Sequence, residues 1–141
     1  MPRVNILGIA CNWSPYCCYN AAGQAGLELP PEFRLMRVMC IGRINQALIL
    51  RAFEYGADGV ILLECEDEDC RYGPGPEVGH NNVARVRRLL HFLGIGQERL
   101  VEKTFLADQK EELVNSLWDF TRRIEALGPN PAKAIREQVA S

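Results

Sequence analysis

Broad positive charge, long hydrophobic runs and the familiar nucleotide-binding and metal-binding motifs are all missing from this sequence. Sixteen Lys and Arg stand against eighteen Asp and Glu, a net charge of -2. That balance excludes a nucleic-acid binder relying on a wide basic surface and leaves no polybasic stretch to hold a membrane. No apolar run approaches the roughly 18 residues that cross a bilayer. The stretch 4–10 is interrupted by Asn5 and is too short for a secretory leader. Gly8, three residues before Cys11 with almost nothing ahead of it, makes a poor lipoprotein cleavage site, so the expected compartment is the cytoplasm. There is no G-x-x-x-x-G-K-[ST] sequence and hence no P-loop. The glycines of 73–79 lack the G-x-G-x-x-G spacing, and their prolines remove amide donors, which rejects dinucleotide binding there and reads as a rigid loop before a helix.

What is present is an ordinary globular composition, 48% hydrophobic and 24% charged over 141 residues, enough for one domain with one core. Short apolar runs at 4–11, 33–40 and 59–65, with a weaker one at 100–106, suit strands covered on both faces. Between them, apolar residues at helical spacing predict helices over 44–55, 81–93 and 111–127, stopped by Gly56, Gly94 and Gly128. A first helix over 19–27 is weakened by Gly23 and Gly26. Strand and helix alternating four times predict an α/β fold, a small three-layer sandwich with a four-stranded parallel sheet, flavodoxin-like or Rossmann-like. The domain is expected to occupy residues 1–128, and 129–141 to form a C-terminal tail that contacts another subunit.

The six cysteines are the informative anomaly. In a reducing compartment they serve more often as metal ligands or redox groups than as structural disulfides. Cys11, Cys40 and Cys65 end the first three predicted strands, and Cys70 follows Cys65 by five positions. In open parallel sheets, ligands bind in the crevice outside the carboxyl ends of the strands. Thiolates gathered there suit tetrahedral zinc or an iron–sulfur cluster. The C-x-x-C pairs of zinc ribbons and the C-x₂-C-x₂-C run of bacterial ferredoxins are both absent, so spacing points to a thiolate metal site without naming the metal. Cys17 and Cys18 suggest a third reading, a thiol–disulfide redox protein, although adjacent cysteines form only a strained bridge.

Several segments in order carry a resemblance: Cys11-Asn12-Trp13, Arg37-Val38-Met39-Cys40-Ile41-Gly42-Arg43, Ala52 through Val60, Glu64-Cys65, and Asp69-Cys70-Arg71-Tyr72. Leu93-Gly94-Ile95, Glu98-Arg99-Leu100 and Ile124 through Pro129 continue it. Together they resemble the delta subunit family of methyl-viologen-reducing hydrogenase. The resemblance implies a [2Fe-2S] cluster and no bond chemistry of the chain's own. It further implies electron transfer from a hydrogenase, formate dehydrogenase or other oxidoreductase subunit to a flavin-bearing, iron–sulfur heterodisulfide-reductase-like A subunit, in an electron-bifurcating complex. It assigns the cluster to Cys11, Cys40, Cys65 and Cys70. The family opens with C-N-W-C, whereas Ser14 stands here at the second cysteine position, which brings in Cys17 and Cys18 as substitute ligands.

The segment 64–70 carries five carboxylates in seven residues, charge that either lowers a nearby cluster's potential or simply faces water. Gly42 and Asn12 are candidate amide donors to sulfur, Arg43 and Arg71 candidate counter-charges, and Trp13 a shield against water. His80 and His91, without paired spacing, are expected to be structural or solvated, and Trp118 to belong to the core.

Overall fold

The computed structural model describes residues 4–11, 14–38, 44–64, 75–105 and 108–132, with backbone alone at 14 and 75–79. The elements run β1 (Ile6–Cys11), α1 (Ser14–Gln24), β2 (Phe33–Val38), α2 (Gln46–Glu54), β3 (Gly59–Glu64), α3 (Gly75–Phe92), a 3-10 turn (Gln97–Arg99), β4 (Leu100–Thr104) and α4 (Lys110–Leu127). The four strands form one sheet in the order β2-β1-β3-β4, with every pairing parallel. That is the flavodoxin-like order rather than the Rossmann one.

Side-chain alternation splits the core in two. Ile6 and Ala10 of β1 with Ile61 and Leu63 of β3 pack against Cys18 of α1 and Leu113, Leu117, Phe120 and Ile124 of α4. Ile9, Val60, Leu62 and Leu100 pack against Ile49 and Phe53 of α2 and Val83, Val86 and Leu90 of α3. Every residue of β3 is buried, as a central strand covered on both faces requires. Gly59 lets α4 sit directly on β3, since a Cβ there would lie 2.8 Å from Ile124 and 2.9 Å from Phe120.

Two helices start earlier than the apolar spacing predicts. α1 begins at Ser14, not at residue 19, and ends at Gln24 ahead of Gly26, whose φ is +73°. Its buried face is made of the small residues Cys18 and Ala22, which a search for large apolar side chains passes over. α3 begins at Gly75, so much of the expected rigid loop 73–79 is helix. Pro15 and Pro76 lie in first turns, where the missing N–H is not needed and the fixed φ suits the helix.

The amino end of the sheet is tied by a buried polar network. Asp58, fully buried just before β3, accepts from the backbone N–H groups of Asn5 (2.7 Å) and Asn130 (2.8 Å) through its two carboxylate oxygens. Asn130 Nδ2 donates to the carbonyls of Phe53 and Ala57, and its Oδ1 accepts from Ala132 N–H, as an N-cap does. Arg99, 4% exposed, donates to the carbonyls of Ile95, Asp58 and Gly128. Burial pulls the Arg99 guanidinium below its ordinary value, and Asp58 and Glu98 work against that shift. The first residues of the expected tail therefore pack on the chain's own body, while 133–141 lie outside the described residues.

Candidate metal centre

β1 leaves its carboxyl end into α1, which lies on one face of the sheet, while β2 and β3 lead into α2 and α3 on the other. The connection therefore reverses between β1 and β3, the kind of switch point at which open parallel sheets leave a ligand crevice. Cys11 is the last residue of β1, 2% exposed, and pairs with Val38 at the end of β2. Ala10 pairs with Leu63, one residue before the end of β3. The described strands thus bring the chain to one edge at Cys11, Val38 and Glu64, with Cys40 two residues beyond Val38 and Cys65 one beyond Glu64. Cys40, Cys65 and Cys70 lie outside the described residues, as do Asn12, Trp13, Gly42, Arg43 and Arg71. Among the described residues no three of His, Cys, Asp and Glu form a metal-binding group.

α1 starts three residues after Cys11, so its amino terminus and the positive end of its dipole belong to this edge. On that helix Cys17 is exposed and Cys18 is buried in the core against α4. Burial first, and then the charge of Glu112, push the Cys18 thiol up to about 11, against a lowering hydrogen bond from the Gln109 backbone. Cys18 therefore keeps its proton at neutral pH. Tyr16 on the same turn carries the Arg37 guanidinium 4.5 Å from its ring centre, a cation–π contact joining α1 to β2 near the edge.

Several polar side chains share the α2/α3 face, and one pairing there is not revealed by the sequence. Strand alternation places Cys11 on the same face as Ile9, Glu64 with Val60 and Leu62, and Glu102 with Leu100. Glu64 is buried at the end of β3. His80 of α3 pairs through Nδ1 with Glu102 Oε1, so it has a definite partner beyond solvent. No spacing rule joins residues 22 positions apart on a helix and a strand, and only the packing of α3 over β4 unites them. His91 is exposed and stacks edge-on with Phe92. Trp118 sits half-buried at the rim rather than in the core, donating to the Glu28 carbonyl at 3.0 Å with Arg122 above its ring. No helix among the described residues is long and apolar enough to cross a membrane.

The family model described as methyl-viologen-reducing hydrogenase, delta subunit, matches residues 6–128. The chain is 37% identical over 124 residues to the iron-sulfur D subunit of the vhc F420-non-reducing hydrogenase of Methanococcus voltae, covering 88% of this chain and 86% of that one. It is 32% identical to the iron-sulfur D subunit of the vhu F420-non-reducing hydrogenase of Methanocaldococcus jannaschii, covering 84% and 94%. It is also 28% identical to the A subunit of the ferredoxin:CoB-CoM heterodisulfide reductase of Methanosarcina mazei, where 96% of this chain spans only 17% of the relative. The chain belongs to the methyl-viologen-reducing hydrogenase delta subunit family.

Proposed function

We propose that this family member is a [2Fe-2S] electron-transfer subunit of a hydrogenase- or heterodisulfide-reductase-type complex, with Cys11, Cys40, Cys65 and Cys70 as ligands. The observation that carries the reading is the arrival of three neighbouring parallel strands at one edge, with buried Cys11 already there and two further cysteines one and two residues beyond. A buried sulfur at a switch-point crevice has the chemistry of a cluster ligand. When bound, the cluster supplies one-electron acceptance and release. The chain's own work is to hold thiolates, exclude water and set local charge. The start of α1 and Arg37 bring positive potential to the edge, while Glu64 and the acidic run after it bring negative charge.

The partners in this reading are a hydrogenase, formate dehydrogenase or other oxidoreductase subunit on one side. On the other is a flavin- and iron–sulfur-containing heterodisulfide-reductase-like A subunit, in an electron-bifurcating assembly. Two kinds of likeness support it: nearly full-length matches to the D subunits of hydrogenases, and a match to one-sixth of the much longer A subunit of a heterodisulfide reductase. The same fold unit thus occurs both alone and within a partner-type chain. Residues 129–141 remain a proposed subunit contact, from 133 onward.

Of the two spare cysteines, exposed Cys17 is the better substitute ligand, because Cys18 holds its proton inside the core. The same asymmetry weakens a Cys17–Cys18 redox couple. Anaerobic isolation, iron and acid-labile sulfide analysis and electron paramagnetic resonance test the proposal. Two irons and two sulfides per chain with a signal on reduction are expected. Zinc without sulfide supports instead a structural zinc module, and bare thiols refute both.

A further inference from the structure

We propose that the outward face of α3, with the adjoining side of α2, is a docking surface for an acidic segment of another polypeptide, one that sets carboxylates beside apolar side chains. The inference rests on the function proposed above in one respect, that the chain works inside a complex. It uses no residue of the ligand set.

α2 and α3 lie together on one face of the sheet, and Asn82 of α3 donates to the Ile44 carbonyl just before α2 at 2.7 Å. α3 buries Val83, Val86 and Leu90 against that sheet. Its outward side carries Arg85, Arg88, Leu89 and Phe92, spaced i, i+3, i+4 and i+7, and all four are exposed. Phe92 is 82% exposed, and Leu93, just past the helix, 64%. Arginine and aromatic side chains set among leucines are the composition of an interface centre rather than of an ordinary wetted helix.

The arginines of this face lack counter-charges of their own. Residues 80–93 hold Arg85, Arg87 and Arg88 and no Asp or Glu, in a chain whose net charge is -2. The positions four residues from Arg85 and Arg88, where a carboxylate would support the helix, are taken by Asn81, Leu89, Ala84 and Phe92. Arg85 and Arg88 neighbour each other instead at i, i+3, a like-charge pair that weakens a helix standing alone. Among the described residues neither has an ion pair, whereas on α4 Arg122 meets Asp119 at the same spacing. Arg87 is turned aside to the Gln97 carbonyl. α2 adds exposed Arg51 and a single acid, Glu54.

Charge decides the occupant. A second copy meeting through the same face would set arginine against arginine. The chain's own residues 133–141 bring Lys133 and Arg136 against one acid, Glu137, so they too are positive. A phosphate backbone would answer the arginines and leave Leu89 and Leu93 without apolar partners. A bilayer needs a broad apolar stripe, and α3 has buried its own in the core. An acidic polypeptide with apolar side chains between its carboxylates satisfies both kinds of group, and arginine binds carboxylate through paired hydrogen bonds.

The test compares the native complex with the isolated full chain by side-chain footprinting, with phenylglyoxal for Arg85 and Arg88 and hydroxyl radical for Phe92. Labelling at all three is expected to drop in the complex. A photo-reactive phenylalanine analogue at position 92 should cross-link to a partner segment holding Asp or Glu among apolar residues. The double substitution Arg85→Glu and Arg88→Glu should weaken association at least about tenfold, with circular dichroism unchanged because both side chains are exposed. Unchanged labelling at these residues in a complex that shields other parts of the chain overturns this inference alone. So does a cross-link to a second copy, or arginine-dependent binding to anionic vesicles or to DNA. A chain that never co-purifies with another subunit overturns the proposed function and this inference together.

Discussion

The two ends of the sheet are built to different rules. At the amino end Asp58, Arg99 and Asn130 are buried and joined through backbone groups of Asn5, Phe53, Ala57 and Gly128. At the carboxyl end the described residues include a buried cysteine, Cys11, and a buried glutamate, Glu64. Saturated polar networks fix one conformation, because an unmet partner in a low dielectric is expensive.

Substitutions at the two ends should separate folding from cofactor binding. The largest expected effect is on cofactor content: Cys11→Ser should leave the chain folded, with stability changed by less than about 2 kcal/mol, yet without a full complement of iron and sulfide. Metal analysis alongside urea unfolding measures both. Asp58→Ala should do the reverse. It removes the acceptor of two backbone donors and a charge that offsets buried Arg99. A loss of about 3–5 kcal/mol is expected in the unfolding free energy, and whatever folds should still take up iron.

The tail sharpens the contrast. Asn130→Ala removes two side-chain donor contacts and an N-cap, and should destabilise by about 1–3 kcal/mol. Ending the chain at Gly128 should match or exceed that loss. Measuring the unfolding free energy of a chain ended at Ala132 beside its pull-down separates subunit contact by 133–141 from folding.

The smallest effect concerns Cys18. Its folded-state value, about 11, lies above the reference 9.0, so the unfolded chain loses this proton first as pH rises. Stability should fall between pH 9 and about 11, and Cys18→Ala should flatten that part of the profile in pH-dependent unfolding. At pH 8 a thiol reagent should label Cys17 well before Cys18.

Much of this architecture can be read from the residues. β1, β2, β3 and β4 fall within the apolar runs, and Gly56, Gly94 and Gly128, all at positive φ, stand where the helices stop. The location of Cys11 follows from strand order alone. The starts of α1 and α3 are harder, because small buried residues and first-turn prolines give no apolar stripe. The Asp58 network escapes sequence reasoning for a different reason. The contacts of Asp58 in it span 41 to 72 positions, and nothing in the local pattern of Asp, Arg or Asn tells a buried partner from a wetted surface group. His80 and Glu102 meet for the same reason, by tertiary packing of a helix over an edge strand.

The clasp of Asn130 on Asp58 also fixes residues 130–132 at the amino end of the sheet. That end lies a full strand away from Cys11, and six residues of strand extend ~20 Å. A tether, tag or solid support fused after Ala132 would hold the molecule by its far pole, leaving the sulfur-bearing rim turned outward toward an electrode or a redox protein in solution.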